Sequence, residues 1–184
     1  MKRVLKFTLP LVLLVILGGS WWLISHQTAP TQAPQPMAKP RVKAAPHYQP
    51  LTLTELNHDP KLTACSLIYY AVKHSKIQRW QEVADFKLGW QLDQYPTEDG
   101  IKSLVWPDKQ IKANAKQLQP NWFALSKTGN VTYHSFIVHS FRDDMTLNTT
   151  LPKIIQQLNQ DHAATKVRQL RSNLVIIAHK KTAN

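Results

Sequence analysis

Cysteine is nearly absent from this chain, which has one, Cys65, among 184 residues. A lone cysteine excludes an internal disulfide framework and any cysteine-rich zinc module. Glycine is also scarce: there are five, and none forms a phosphate-binding loop or the Gly-x-Ser-x-Gly turn of serine hydrolases. The His-Glu-x-x-His signature of zinc peptidases is missing as well. The sequence therefore lacks the familiar catalytic signatures.

Acidic residues are missing from the first 54 positions, because all eleven lie at or after Glu55. Six of the 23 basic residues precede position 50, so the remainder holds 17 basic and 11 acidic residues, a net charge of +6. A domain of that charge attracts polyanions. Its adjacent acid pairs, Glu98-Asp99 and Asp143-Asp144, do not have the alternating spacing of a calcium loop. We therefore expect no metal and no cofactor.

One long uncharged run spans residues 7–24 and follows three basic residues. At about 1.5 Å per residue it nearly crosses a hydrocarbon core of about 30 Å. Trp21 and Trp22 near its far end suit the membrane interface, and the basic start suits the cytoplasmic side. We therefore expect residues 1–25 to be a cytoplasmic start and a transmembrane signal anchor, with the lipid bilayer as a partner through residues 7–24. A cleaved signal peptide is the alternative, which the two tryptophans after Ser20 disfavour.

The composition changes over residues 26–50, which contain six prolines and no acidic residue. Such a segment cannot bury enough apolar surface to fold, and its prolines favour the extended polyproline II conformation. We interpret it as a linker, with a proline-rich recognition ligand as the alternative. The linker would hold a domain over residues 51–184 outside the membrane of a single-pass protein. Nucleic acid is disfavoured as a partner in that location.

Three helices are predicted in the domain. Asp59 is a capping residue and Pro60 a first-turn residue for a helix over residues 60–74, in which apolar side chains recur at helical spacing. A Ser-x-x-Gln start resembles a capping box and predicts a second helix over residues 75–85. The third helix follows Thr149 or Thr150, with Leu151, Ile154, Ile155 and Leu158 on its buried stripe.

Alternating apolar residues predict six β-strands, at Leu88–Asp93, Ile101–Trp106, Trp122–Leu125, Val131–Phe141, Val167–Leu170 and Leu174–Ala178. The strand at 131–141 is the longest and most apolar, so we expect it to be central. Short turns between consecutive strands favour antiparallel pairing. The predicted fold is therefore α+β, an antiparallel sheet of five to six strands packed by two N-terminal helices and one later helix.

Histidines at two positions of the apolar strand, His134 and His139, are candidate bases or metal ligands. They are five residues apart, an odd number, so in a regular strand their side chains point to opposite faces of the sheet. Paired ligation from this strand is therefore disfavoured. His139 near the strand end remains a candidate for lining a pocket with residues from elsewhere in the chain.

Cys65 suggests one enzymatic hypothesis, a cell-wall or peptide hydrolase whose thiolate is activated by His134 or His139. A helix dipole lowers the pKa of a thiol at the first turn, but Cys65 lies about a turn and a half inside the predicted helix. It also shares the apolar stripe of that helix. A buried, unreactive cysteine is the alternative that we favour.

Aromatic and basic residues near the strand ends suggest a binding surface. The candidates are Trp90, Lys102, Trp106, Lys109 and Trp122. Partly exposed, they would offer ring faces and cations suited to a glycan or an anionic cell-wall polymer. Fully buried, the same aromatics would simply belong to the core. The binding hypothesis requires that Trp106 or Trp122 be exposed.

Several motifs of the predicted domain resemble an uncharacterised family of small exported proteins of lactobacilli and related Gram-positive bacteria. They are Asp59-Pro60-Lys61-Leu62-Thr63-Ala64, Tyr69-Tyr70-Ala71, Trp80 with Glu82, Gly89-Trp90-Gln91, and the run from Gly129 through His134 to Ser140. The resemblance spans about residues 51–178 and implies an exported, anchored, single-domain protein with no assigned activity. Many such proteins are lipoproteins, whereas this chain has no lipid-accepting cysteine after its apolar run. We therefore expect a cell-envelope binding or structural module rather than an enzyme.

Overall fold

The computed structural model of the protein describes residues 47–136 and 145–181, which form four α-helices and six β-strands. The α-helices are α1 (Leu53–His58), α2 (Pro60–His74), α3 (Leu151–Gln160) and α4 (Ala164–Leu170). The strands are β1 (Trp90–Pro96), β2 (Gly100–Pro107), β3 (Asn121–Ser126), β4 (Asn130–Ser135), β5 (Met145–Thr150) and β6 (Leu174–Ala178). The α+β class is confirmed.

Helix α2 begins and ends where the sequence predicts. The carboxylate of Asp59 accepts a hydrogen bond from the Leu62 amide at 2.9 Å, and Pro60 occupies the first turn. Helix α3 is also confirmed, with Thr150 as its cap and all four predicted apolar residues buried. In both helices a local capping signal and an apolar stripe indicate the same boundaries, which is why the sequence is sufficient to place them.

The sheet is mixed, with the strand order β5-β4-β3-β2-β1-β6. Four neighbouring pairs are antiparallel, but β6 runs parallel to β1, so the prediction of an antiparallel sheet is wrong at this pair. The cause is the segment Val167–Leu170, predicted as a strand, which belongs to α4. Ala164, Val167 and Leu170 are buried at a spacing of three, the period of a helix. The chain therefore reaches β6 from a helix and not from a hairpin.

Three further elements differ from the prediction. The second predicted helix, 75–85, is a short 3₁₀ helix, Gln78–Val83, because Ser75 closes α2 instead of capping a new helix. Helix α1 precedes α2 and was not predicted, although the Thr52 side chain caps it by accepting from the Glu55 amide. Strand β5, also not predicted, is polar and forms one edge of the sheet.

The strand predicted at 131–141 is β4 over its described part, and it lies second from the edge, between β3 and β5, not at the centre. Its residues 137–141, including His139, lie outside the described residues. The predicted anchor at 7–24 and most of the 26–50 linker lie outside them as well. Within residues 47–136 and 145–181, no helix has the length and apolar character needed to cross a membrane.

The buried side chains of all four α-helices join one core on a single face of the sheet. The strands contribute alternate residues to it, and the Tyr133 hydroxyl donates to the Leu67 carbonyl of α2 at 3.0 Å. The remaining side chains of the strands form the opposite surface, which we call the open face because no described α-helix packs on it. The open face consists of Gln91, Asp93 and Tyr95 (β1), Lys102, Leu104 and Trp106 (β2), Trp122 and Ala124 (β3), Thr132 and His134 (β4), Thr146 and Asn148 (β5), and Val175 and Ile177 (β6).

The chain before α1 is fastened to the C-terminal half of the domain. The Asn159 side chain in α3 accepts from the Leu51 amide at 2.7 Å and donates to the Leu51 carbonyl at 2.9 Å. Arg168 in α4 donates to the Gln49 and Pro50 carbonyls and to both carboxylate oxygens of Glu55. The last residues of the predicted linker therefore contact the domain. We call this arrangement the N-terminal clasp.

Gly100, at the start of β2, is predicted to tolerate no larger residue. A β-carbon there would lie 2.0 Å from the carbonyl oxygen of Leu125 on β3. We expect Gly100→Ala to lower the free energy of unfolding by about 3 kcal/mol, because the β2–β3 ladder must shift. Chemical denaturation measures this cost.

Gly129 provides the matched control. Its φ is +83°, but a β-carbon added there would have open space around it, with the nearest atom 4.0 Å away. Gly129→Ala should cost about 1 to 2 kcal/mol, from backbone strain alone. Equal losses in the two variants would contradict the close approach of β2 and β3.

Candidate functional site

Trp122 on β3 is the centre of one side-chain cluster on the open face. The strand register places it opposite His134 of β4, and the two rings stack with centroids 3.6 Å apart and planes 11° apart. Lys102, from β2 on the other side of β3, places its Nζ 4.1 Å from the centre of the Trp122 ring. We call Lys102, Trp122 and His134 the Trp122 cluster. It holds an ammonium group and an imidazole against a half-buried indole.

Lys102 has no carboxylate partner among the described residues. The attraction between its ammonium group and the indole ring fixes the position of the charge without neutralising it. Asp93 is the only acid on the open face, as far as the described strands form it, and it is engaged by other groups. The Trp122 cluster therefore presents a positive charge, next to an aromatic surface, that an anionic ligand can pair with.

Asp93 of β1 is the centre of a second cluster. Its Oδ2 accepts hydrogen bonds from the Trp106 indole N–H at 2.8 Å and from Lys116 Nζ at 2.7 Å. His179 Nε2 lies 3.3 Å from Oδ1, and the His179 ring stacks on Tyr95 with centroids 4.3 Å apart. The Asp93 cluster thus joins the loop between β2 and β3 and the residue after β6 to strand β1, which lies next to the edge strand β6.

Asp93 is 5% exposed, so burial disfavours the charged form of its carboxyl group. The hydrogen bonds from Lys116, His179 and Trp106 outweigh that burial and hold the pKa of the carboxyl below its ordinary value. Asp93 is therefore a carboxylate whose charge is matched inside the protein. Its role is to fasten two chain segments, and it leaves Lys116 with little charge to offer a ligand.

The structure brings together three of the five residues proposed from sequence for binding. Lys102, Trp106 and Trp122 lie on the open face, with Trp122 half-buried and Trp106 8% exposed. Trp90 is on the core face, fully buried, and its indole N–H donates to the Val83 carbonyl at 2.7 Å. Lys109 lies beyond the end of β2, where its Nζ donates to the Asn173 side chain. Of the two tryptophans that the binding hypothesis names, Trp122 is the partly exposed one and Trp106 is buried.

The structure does not bring Cys65 and His134 together. Cys65 is fully buried on the core side of α2, whereas His134 lies on the open face across the sheet. Burial raises the pKa of the Cys65 thiol to about 12, so the group is a neutral thiol near neutral pH. His139, the alternative base, lies outside the described residues.

Two contributors to the open face were missed by the sequence analysis, Asp93 as a buried acid and His179 as its partner. Asp93 lies on the polar side of an alternating strand, together with Gln91, a pattern that indicates exposure, so the sequence gives no signal for its burial. His179 gives no local signal, because its contact with Asp93 depends on the parallel pairing of β1 and β6.

Two cavities can be placed relative to these clusters. One, of about 360 Å³, lies beside Trp106 and is walled by the loop between β2 and β3 and by the Gln78–Val83 3₁₀ helix, with the Arg79–Glu82 ion pair in its lining. The other, of about 210 Å³, lies between α2 and the core face of the sheet and is mainly apolar. Among the described residues no group of three or more His, Cys, Asp or Glu side chains has the arrangement of a metal site.

Comparison with protein-family models, curated proteins and solved structures gives no match to this chain. The geometry and charge of the open face are therefore the observations that bear on function.

The Asp93 cluster predicts a specific dependence of stability on pH. Because the pKa of Asp93 is lower in the folded state, its ionised form stabilises the protein above the unfolded-state pKa of about 4. That contribution is lost as the pH falls through the folded-state pKa. We expect Asp93→Asn to lower the free energy of unfolding by about 2 kcal/mol at pH 7, with the difference from the unmodified protein shrinking below about pH 4. Denaturation curves from pH 2 to 8 measure both effects.

Glu98→Gln, in the exposed turn between β1 and β2, is the control for loss of one negative charge. It should change stability by less than about 0.5 kcal/mol at every pH. A pH-independent loss in Asp93→Asn would show that the charge of Asp93 contributes nothing to the folded state.

Proposed function

We propose that this protein is a single-pass, membrane-anchored domain that lies outside the cytoplasm and binds an anionic polymer of the cell envelope through its open face. The uncharged run at 7–24 and the proline-rich segment after it support the anchored location. The net charge of +6 after the linker supports a polyanionic partner. A membrane anchor, a spacer and a basic domain together suit a module that links the membrane to the envelope.

The Trp122 cluster is the observation that carries the proposal. The ammonium group of Lys102 lies against the Trp122 ring and has no carboxylate partner among the described residues. A phosphate or carboxylate of a polymer supplies the missing counter-charge. Both ring faces of Trp122 are covered, by Lys102 and His134, so a sugar cannot stack on them. The polymer therefore contacts the ammonium group and the exposed edge of the indole.

The polar rim of the open face extends this contact along the sheet. Lys102 is followed across the strands by Ala124, Thr132 and Asn148, which are successive neighbours in the register. The Thr132 hydroxyl donates to the Asn148 side chain at 2.8 Å. Ala124 has the smallest side chain in this row, so the surface is lowest at Ala124, next to Trp122 on β3. Lys102 lies on one side of Ala124, and Thr132 and Asn148 lie on the other. An extended chain with repeating charges and hydroxyls suits such a row.

A hydrolase that uses Cys65 is the alternative from another class. A nucleophilic thiol needs exposure and a base within hydrogen-bond distance. Cys65 is buried, the pKa of its thiol is raised, and His134 lies across the sheet, so the described residues provide neither. These observations favour binding over thiol catalysis.

We predict that Lys102→Gln weakens binding of the full chain, in mild detergent, to a purified polymer of glycerol or ribitol phosphate. Loss of one close charge contact should reduce affinity about three- to tenfold at low salt, and the difference should disappear at high salt because the interaction is screened. Fluorescence anisotropy of labelled polymer measures both.

Lys153→Gln is the matched control, because it removes the same charge from the exposed surface of α3 in the helical layer. It should leave affinity within about twofold of the unmodified protein. Equal losses in the two variants would reduce the interaction to net charge and contradict a site on the open face.

The proposed location predicts the result of protease treatment of intact cells. The linker should be cleaved, which releases a C-terminal fragment whose first residue lies within 26–50. Mass spectrometry of the released material identifies that residue. Protection of the linker would contradict the topology, and release of the whole domain without protease would indicate a cleaved signal peptide.

A further inference from the structure

The outer edge of β6 has an unusual composition for an edge strand. Its sequence is Leu-Val-Ile-Ile-Ala, without a charged residue or a proline. Natural proteins usually protect an exposed edge with lysine, proline, a bulge or a covering segment, because its free N–H and C=O groups pair with other strands. Among the described residues, only β1 pairs with β6. On the open face Val175 is 39% exposed and Ile177 is 38% exposed.

The hydrogen bonds to β1 determine which backbone groups of β6 point outward. The His179 amide donates to the Gln94 carbonyl at 2.8 Å, so His179 directs its backbone groups towards β1. Backbone groups alternate in direction along a strand, so Val175 and Ile177 do the same. The amides and carbonyls of Leu174, Ile176 and Ala178 therefore point to the outer edge. Ile176 is the central one of these three residues, so a two-fold axis through Ile176 exchanges the positions of Leu174 and Ala178.

We propose that β6 pairs antiparallel with β6 of a second copy of this chain, around a two-fold axis at Ile176. Two residues that face each other in an antiparallel pair lie on the same face of the sheet. In two copies of one strand, residues of the same face have numbers that are both even or both odd, so the numbers of two facing residues add to an even total. The register centred on Ile176 is the one that uses all five residues. Ile176 then faces Ile176, and Leu174 faces Ala178, as hydrogen-bonded pairs.

The side chains of β6 fit the same register. Val175 faces Ile177 of the second copy as a non-hydrogen-bonded pair, in which the α-carbons are about 4.5 Å apart and side chains pack most closely. The two exposed apolar residues of the strand thereby cover each other. The second copy is the favoured occupant because outward backbone groups and exposed side chains are both self-complementary about one residue, and two-fold dimers are the commonest assembly of identical chains.

Pairing of two β6 strands makes the two sheets continuous. The open faces of both copies then lie on one side of a joined sheet, with two Trp122 clusters at a fixed separation. A polymer with repeating charges that reaches both clusters would bind more tightly than to either alone. The pairing itself follows from β6 and does not depend on the proposed function.

Disulfide formation between single-cysteine variants tests the register. The full chain in mild detergent is prepared as Val175→Cys and as Ile177→Cys, one of them carrying a size tag, and each is oxidised alone and in a mixture. Facing residues of a non-hydrogen-bonded pair lie within the α-carbon range of a disulfide, whereas equivalent residues of the two copies are diagonal and farther apart. We expect a mixed disulfide dimer in the mixture, at least tenfold more abundant than the dimers of either variant alone.

Two controls accompany the test. The unmodified protein, in which Cys65 is buried, should give no disulfide dimer. The pair Thr146→Cys and Asn148→Cys has the same spacing on the exposed face of β5, the other edge strand, and its mixture should remain monomeric on non-reducing gels.

A mixture of the β6 variants that gives no disulfide dimer overturns the proposal. So does a mixture whose yield equals that of the β5 control pair, because chance collision would then explain both. Ile177→Lys provides a second measurement that needs no disulfide. It places a charge opposite Val175 of the second copy, next to the two-fold axis, and should convert the dimer to monomer in sedimentation, with unchanged circular dichroism, whereas Thr146→Lys should leave the dimer intact.

Discussion

The alternation of side chains across the sheet is the constraint on which the rest of this structure depends. Along β1, Trp90 and Leu92 enter the core beneath the helices, while Gln91 and Asp93 face the other way. Because all four α-helices cover one face, every outward residue of the strands belongs to a single surface. Cross-strand register then decides which of those residues meet. The open face and both of its clusters are products of that register.

The two clusters differ in how their charge is balanced. Asp93 is nearly inaccessible and has an ammonium group, an indole N–H and an imidazole around it, so its charge is matched within the domain. Lys102 has an aromatic ring and no described counter-charge. One cluster therefore keeps the loop and the C-terminal strand in place, and the other keeps a positive charge available. Among the described residues of the open face, the unpaired charge is therefore positive.

Local signals in the sequence were sufficient for α2, α3 and the hairpins of β1–β2 and β3–β4, because caps, turn residues and apolar spacing agree there. They were misleading for residues 167–170, which were predicted as a strand but belong to a helix whose buried residues are spaced three apart. The parallel pair of β1 and β6 joins residues more than 80 positions apart, and no local pattern encodes it. Trp122 was predicted as a site residue from its type and position, but its contacts with Lys102 and His134 required the strand register.

The N-terminal clasp determines where a pulling force would enter the domain. Tension on the chain before residue 47 reaches Arg168 and Asn159 before it reaches the first turn of α1. Both side chains form hydrogen bonds with the backbone at residues 49–51. Those residues belong to α4 and α3, which pack on α2 in the middle of the helical layer. Several hydrogen bonds and the Arg168–Glu55 ion pair oppose separation of this segment from the helices. A pull on the preceding chain is therefore carried by α3 and α4 before the first turn of α1, which opposes unravelling of the domain from that end.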